Sequence, residues 1–391
     1  MVVSKVRLAL AQTNPTLGAI GANLAVILEN IRQAKAHGAD LIVFGEMALT
    51  GYPIEDLASR EQFLLDSELA VKDLAAGLIA EGLQDVTVVL GHPALASAQE
   101  QTGWAIAQNV ATVISAGKII GRYAKHHLPN YSVFDEYRIF VPGNNLLSFE
   151  VKGLTFSTVI CEDIWQSGGP VAQLSKNNTD VCLIRNGSPF EVDKDDRRLA
   201  LVSELAKKHS CAAAYVNLVG GQDDLVFDGD SIIVDSKARL VARLKQFKTD
   251  LVFVDIEAKD QMNVVGDHHL TKPNDNWQVW NALVLGLRDY CTKNGFKSVV
   301  LGLSGGIDSA VCATIAADAL GAENVYGVSM PSRYSSLGSK DDAKDLAERR
   351  GINYQVQPIE DLVTPFERQL ELSGLSAENL QARVRGVILM S

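Results

Sequence analysis

Long apolar runs are missing from this sequence, and so are clustered cysteines and any excess of basic charge. No stretch approaches the roughly 20 apolar residues that a membrane-crossing helix needs. The apolar run in the opening MVVSKVRLALAQTNPT is too short for a secretory signal. Five cysteines among 391 residues lie far apart, without the spacing of metal ligands, which fits a reducing compartment. Lys and Arg number 36 against 47 Asp and Glu, and the net charge of −11 argues against a nucleic-acid polymer as partner. Repeats of solenoid period and low-complexity tracts are lacking too. Together these absences predict a soluble cytoplasmic protein. What remains is globular, at 47% hydrophobic and 21% charged residues, and the length predicts two domains.

The stretch Val299 to Ala310, VVLGLSGGIDSA, organises the second half. An apolar, β-branched run reads as a buried parallel strand, two glycines turn the chain, and a helix follows. Backbone N–H groups around such a turn, added to the helix N-terminus, make a concavity suited to phosphate. The loop lacks the Gly-Lys-Ser/Thr ending of a Walker A sequence and the G-x-G-x-x-G of dinucleotide binders. A bare Gly-Gly would read equally as an ordinary turn with Asp308 or Ser309 capping the helix. The full string SGGIDS resembles the loop of the ATP pyrophosphatase superfamily, which splits ATP between the α and β phosphates. That resemblance implies an ATP loop of Gly302, Leu303, Ser304, Gly305, Gly306, Ile307, Asp308 and Ser309. Ser304, Gly305, Gly306 and Ser309 would hold pyrophosphate, and Asp308 would approach Mg²⁺.

In the first half, three buried strands each deliver a reactive side chain. Leu41–Phe44 leads to Glu46, Lys118–Tyr123 leads to Lys125, and Leu154–Ile160 leads to Cys161. Strand ends present groups to clefts. Cysteine serves as nucleophile, glutamate as base, and lysine as a positive group beside an oxyanion. Singly, each has a plainer reading: a core cysteine, a solvated loop glutamate, a surface lysine. The flanking strings are Gly-Glu46-Met-Ala-Leu-Thr-Gly-Tyr, Lys125-His-His-Leu-Pro-Asn-Tyr and Ile-Cys161-Glu-Asp-Ile-Trp. In that order they resemble the three motifs of the nitrilase superfamily. The resemblance runs from about Val6 to Asp255 and implies an α-β-β-α sandwich with a Glu-Lys-Cys amidase site. It also implies Glu136 as a supporting carboxylate. His126 and His127 read as structural, and Cys182, Cys211, Cys291 and Cys312 as core.

A nitrilase-like half followed by a pyrophosphatase half resembles the glutamine-dependent NAD synthetase family. That resemblance implies glutamine, deamido-NAD and ATP as substrates, with Mg²⁺, and a shielded passage that keeps ammonia unprotonated. Tyr131, Ser188 and Lys194 would contact glutamine. The string Glu378-Asn379-Leu380-Gln381-Ala382-Arg383-Val384-Arg385 resembles a family helix, with Asn379 contacting deamido-NAD. The expected fold is α/β: a nitrilase-like sandwich over 1–258, a polar linker over 259–275, and a doubly wound parallel-sheet domain of adenine nucleotide hydrolase type over 276–391. The alternation of strand and helix stops inside a helix capped by Ser376, so the second domain is expected to be incomplete. Symmetric assembly of several copies is expected. Two other readings stay open: another amidating synthetase with a different acid, and a glutaminase bearing a nucleotide-sensing domain.

Overall fold

A computed structural model of the chain describes residues 5–101, 104–266 and 271–391. They form two compact units, up to Ala282 and from Leu283 to Ser391. Four residues of the expected linker, 267–270, lie outside the described residues. Within the same expected linker, Gln261–Val265 is a strand paired antiparallel with Asp250–Ala258.

The first unit stacks two sheets. One holds, in spatial order, Gln261–Val265, Asp250–Ala258, Val6–Gln12, Leu41–Phe44, Thr87–Leu95, Ala107–Ser115 and Lys118–Ala124. The other runs Leu240–Arg243, Ile232–Val234, Ala212–Asn217, Val181–Asn186, Leu154–Ile160 and Leu147–Val151. The strand period of two sorts the side chains of Val6–Gln12. Leu8 and Leu10 join the apolar cluster shared by both sheets, while Ala9 and Ala11 join the cluster under the helices Ile20–Ala36 and Glu61–Ala80. On the far side, helix Lys194–His209 buries Val202, Leu205 and Ala206 over the second sheet. The layers are therefore helix, sheet, sheet, helix, as the motifs led us to expect. The neighbouring strands Val6–Gln12, Leu41–Phe44 and Thr87–Leu95 are parallel, as are Leu154–Ile160, Val181–Asn186 and Ala212–Asn217. Their ends therefore open on one rim, where the reactive loops lie.

The second unit is a parallel sheet of Val299–Gly302, Val325–Ser329 and Asn353–Val356. Val325 packs on one side with Ala313, Ala316, Ala343 and Ala347 from helices Ile307–Leu320 and Leu337–Arg350. Val328, of opposite parity, packs with Leu380, Val384 and Ile388 of helix Leu375–Met390. Helices thus cover both faces, the doubly wound arrangement. Two expectations need correction. Ser376 is not the cap of the last helix: Gly374 holds that position, and the Ser376 hydroxyl donates to the Ser373 carbonyl within the first turn. Cys312 is exposed rather than core. Its helix buries a stripe of Ala313, Ala316 and Ala317, and position 312 falls off that stripe.

Candidate active site

Glu46 and Lys125 meet in the interior, 79 residues apart in sequence, with Lys125 Nζ 2.9 Å from Glu46 Oε1. The ammonium also lies 2.7 Å from Glu136 Oε2. All three side chains are at most 3% exposed. The remaining contacts fix the carboxylates. Asn109 Nδ2 donates to Glu46 Oε1 at 2.6 Å, and the Gly187 N–H donates to Oε2 at 2.7 Å. The Tyr52 hydroxyl donates to Glu136 Oε1 at 2.8 Å. Burial alone would lower the pKa of Lys125, but the carboxylates of Glu136 and Glu46 outweigh it and hold the lysine well above its ordinary value. Burial pushes Glu136 up to about 7, against the pull of Lys125 and with the push of Glu46. The lysine is therefore a fixed cation, while Glu136 gains or loses its proton near neutrality.

Cys161 follows the strand Leu154–Ile160 and opens a short turn of helix, Cys161–Ile164. Its φ of 42° is in the left-handed region, unusual for a side chain with a Cβ. Asp163 holds this bend. Its Oδ2 accepts from the Ile160 N–H at 2.9 Å and from the Tyr123 hydroxyl at 2.6 Å. Its Oδ1 accepts from the backbone N–H groups of His126 and His127 at 3.0 and 2.8 Å. One carboxylate thus ties the cysteine bend to the segment just after Lys125. Burial pushes the Cys161 thiol well above its usual range, Glu46 adds to that, and Lys125 opposes it. At neutral pH the sulfur keeps its proton, so nucleophilic attack needs a base, and Glu46 is within electrostatic reach.

The other expected contacts divide. The Tyr131 hydroxyl donates to Glu162 Oε2 at 2.9 Å, beside Cys161. Ser188 is buried next to Gly187, and its N–H donates to Asn217 Oδ1 at 2.9 Å. Lys194 is buried but paired with Glu191, not with the carboxylates around Lys125. His126 bonds the Gly143 carbonyl through Nδ1, in keeping with a structural role. Asn109, Tyr52 and Asp163 carry contacts that the sequence reading assigned to no one. The signal for Asp163 was its place inside the cysteine motif. The signal for Asn109 was a lone amide in an apolar strand.

Gly91 decides where Glu46 stands. A Cβ there would lie 2.5 Å from the Gly45 carbonyl oxygen and 2.6 Å from the Met47 nitrogen. The backbone of the glutamate loop rests directly on the glycine. Gly91→Ala is expected to displace that loop, costing about 1–3 kcal/mol of stability. A shift of about 1 Å in Glu46 costs about 100-fold in rate. Thermal unfolding and amide hydrolysis on the same preparation check both.

In the second unit, the diglycine turn has the expected strand-to-helix setting. Gly305 has a φ of +85°, and a Cβ there would sit 2.1 Å from the Ser339 carbonyl oxygen. Ser304 and Ser309 bond each other through their hydroxyls at 3.1 Å, and the Gly306 N–H donates to Ser304 Oγ at 3.2 Å. Leu303 sends its side chain into the core, so its place in the loop is a backbone one. Gly306 occupies the cap position, and no side chain caps the helix. Asp308 is exposed in the first turn. Among the described residues no group of three or more His, Cys, Asp or Glu is placed to hold a metal. A single carboxylate fits a Mg²⁺ that takes its other ligands from phosphates and water. Asn379 is exposed, whereas Glu378, Gln381 and Arg385 of the same helix line a cavity of about 510 Å³ with Ser332, Tyr334 and Ser335.

Comparison with known proteins follows the same division. The carbon-nitrogen hydrolase family model matches residues 7–261, and the NAD synthase model matches 279–391. The glutamine-dependent NAD(+) synthetase of Acinetobacter baylyi is 39% identical over 98% of this chain and 70% of its own length. That of Thermotoga maritima is 39% identical over 100% of this chain and 72% of its own. The solved structure of the Acinetobacter baumannii enzyme with ADP superposes with a TM-score of 0.90 at 38% identity, covering 99% of this chain and 72% of that one.

Proposed function

The chain belongs to the glutamine-dependent NAD(+) synthetase family, and from that premise we propose a two-step amide transfer. The first unit hydrolyses glutamine, and the second uses ATP to convert deamido-NAD to NAD. The observation that carries the first step is a lysine buried between two carboxylates, next to a strained cysteine bend.

Cys161 gives its proton to Glu46, and the sulfur bonds to the side-chain carbonyl carbon of glutamine. The carbonyl electron pair moves to oxygen, where Lys125 stabilises it. Collapse expels ammonia with the proton returned from Glu46 and leaves a thioester on Cys161. Water, deprotonated by Glu46, then releases glutamate and restores the thiol. Glu136 holds Lys125 in place. Tyr131 and Ser188 orient glutamine, and Lys194 exchanges Glu191 for the α-carboxylate of the substrate.

In the second unit, ATP lies on the loop from Gly302 to Ser309. Ser304, Gly305, Gly306 and Ser309 hold the leaving pyrophosphate. Mg²⁺, when bound, neutralises phosphate charge, and Asp308 is its protein ligand. The deamido-NAD carboxylate attacks the α-phosphorus of ATP and becomes an acyl-adenylate. Ammonia then displaces AMP. Asn379 contacts deamido-NAD, with Glu378, Gln381 and Arg385 beside it. The amidase is built on 1–258, with strand Gln261–Val265 of the 259–275 segment completing its sheet edge, and the synthetase occupies 276–391. Ammonia passes between them in a shielded route within a symmetric assembly of copies. The five free cysteines support a reducing, cytoplasmic setting.

Incubation with ATP, Mg²⁺, deamido-NAD and glutamine is expected to yield AMP, pyrophosphate, glutamate and NAD in equal amounts. Glutamate without AMP would leave a glutaminase with a nucleotide sensor. Gly305→Ala is expected to lose nucleotide affinity while glutamine hydrolysis persists, because the added methyl meets backbone at a positive φ. A strain of about 1–3 kcal/mol corresponds to about 5- to 150-fold in Kd. Calorimetric titration with ADP checks this.

A further inference from the structure

Among the described residues, Arg185 heads the largest side chains that are completely buried. It stands on Val181–Asn186, in register with Ile160, the residue before Cys161. Its Nε donates to Thr158 Oγ1 at 3.3 Å, but Nη1 and Nη2 meet no hydrogen-bond partner among the described residues. The other large buried arginine behaves differently. Arg198 donates to both carboxylate oxygens of Asp228, at 2.8 and 2.7 Å, and to the Ser188 carbonyl at 2.9 Å. That is how a structural guanidinium is normally accommodated. Burying one without such a clamp is costly, so its charge must be answered over a longer range.

Arg185 lies two residues before Gly187, whose N–H donates to Glu46 Oε2, and in register with Ile160, whose N–H donates to Asp163 Oδ2. The charges of Glu46 and Asp163, with Tyr123 on Lys118–Ala124, act on its guanidinium. His92 on Thr87–Leu95 also senses it: burial, aided by Arg122 and then by Arg185, lowers the pKa of that imidazole to about 3. Burial lowers the pKa of Arg185 to about 10, which leaves it charged at neutral pH. Around Glu46 stand Lys125, Glu136, Tyr52 and Cys161. Two carboxylates there share one lysine, so one negative charge is left over whenever both are ionised. Asp163 adds another; among the described residues its hydrogen bonds come from a hydroxyl and backbone N–H groups.

We propose that Arg185 is a positioning residue for the amidase site. It is the second cation of the buried cluster, it offsets the carboxylate charge that Lys125 leaves over, and it thereby sets the pH at which the cluster takes up a proton. This rests on reading the first unit as an amidase.

The test is the pH profile of kcat/KM for glutamine, from about pH 5 to 9, where such limbs report the free enzyme's groups. Arg185→Met is expected to move the acid limb up by about one unit or more, the effect of losing a nearby opposite charge. Arg185→Lys keeps the charge and is expected to hold the limb near its original position. A packing role would lower activity evenly across pH. An unmoved acid limb in folded Arg185→Met overturns the proposal. Should that variant fail to fold, Glu46→Gln/Arg185→Met is expected to fold, because the carboxylate that needed the charge is neutral. Failure of the double variant to fold overturns the proposal as well. The wild-type protein and Cys161→Ala separate the two readings. Equal glutamate release by both would remove the amidase reading and this inference with it. An unmoved limb with glutamate release still dependent on Cys161 removes only the inference.

Discussion

In the full-length enzyme, Cys161→Ala is expected to abolish NAD formation from glutamine while leaving formation from added ammonium chloride at the wild-type rate. The sulfur is the one group at the site that can form a covalent bond to the amide carbon. Its thiol is held protonated by burial and by Glu46, so the attack draws on the neighbouring base rather than on a resting thiolate. Without it, the remaining lysine and carboxylate can polarise the amide but cannot form the thioester. A loss of at least about 1,000-fold in glutamine hydrolysis is expected, as when the nucleophile of a covalent hydrolase is removed. The diglycine loop belongs to the other compact unit and keeps its own geometry. The assay follows NAD formation with each nitrogen source on one preparation. Equal loss from both sources would mean that the two chemistries do not occupy separate sites. Residual glutamine hydrolysis near the wild-type level would remove Cys161 as nucleophile.

What the sequence made legible follows from where the physics is local. Helix Lys194–His209 is read at its observed bounds, because acidic residues open it, basic residues close it, and its apolar stripe is clean. The strands ahead of Glu46 and Cys161 are read for a similar reason: buried parallel strands are short apolar runs. The strand ahead of Lys125, expected to be buried, is instead an antiparallel strand at the sheet edge with Lys118 and Ile120 exposed. Helix Glu61–Ala80 is assigned nothing by that reading. Its alanines and leucines spread over more than one face, and packing against the sheet selects which are buried. The meeting of Glu46 with Lys125 is also invisible to spacing, since no periodicity links residues on different strands. Motif resemblance supplied that expectation, and the fold supplies the 2.9 Å. Asp163 marks the limit more sharply. Its role is to accept from backbone N–H groups of another segment, and backbone leaves no trace in residue type. Arg185 carries the opposite lesson. A charged residue inside VCLIRN argues against a buried strand, yet the strand is buried and the charge is kept, where the site has carboxylate in excess.

Lys125→Met is expected to cost both stability and turnover, and the two losses can be separated. The methionine matches the stem of the lysine in volume and removes only the charge and its donors. Glu46 and Glu136 are then left facing each other in a site where neither is more than 3% exposed. Breaking a buried ion pair from one side costs about 3–5 kcal/mol, part of which the protein recovers by binding a proton between the carboxylates. The sign of the pH effect follows. Glu136 already sits at about 7 in the folded protein, above its unfolded value. Folding therefore favours the protonated state, and stability falls as pH rises through that value. Without Lys125 the folded pair holds its proton more tightly still, so the variant is expected to lose stability more steeply on the alkaline side. Turnover falls for a different reason: the developing oxyanion loses the cation proposed to stabilise it, at about 100- to 1,000-fold in kcat. The double variant Lys125→Met/Glu136→Gln separates the effects. Neutralising Glu136 removes the repulsion, so thermal stability is expected to return toward wild type while kcat stays low. If Lys125→Met unfolds at the wild-type temperature across the pH range, the ion cluster is not what holds this site together. If the double variant regains kcat as well as stability, Lys125 has no part in the chemistry beyond keeping two carboxylates apart.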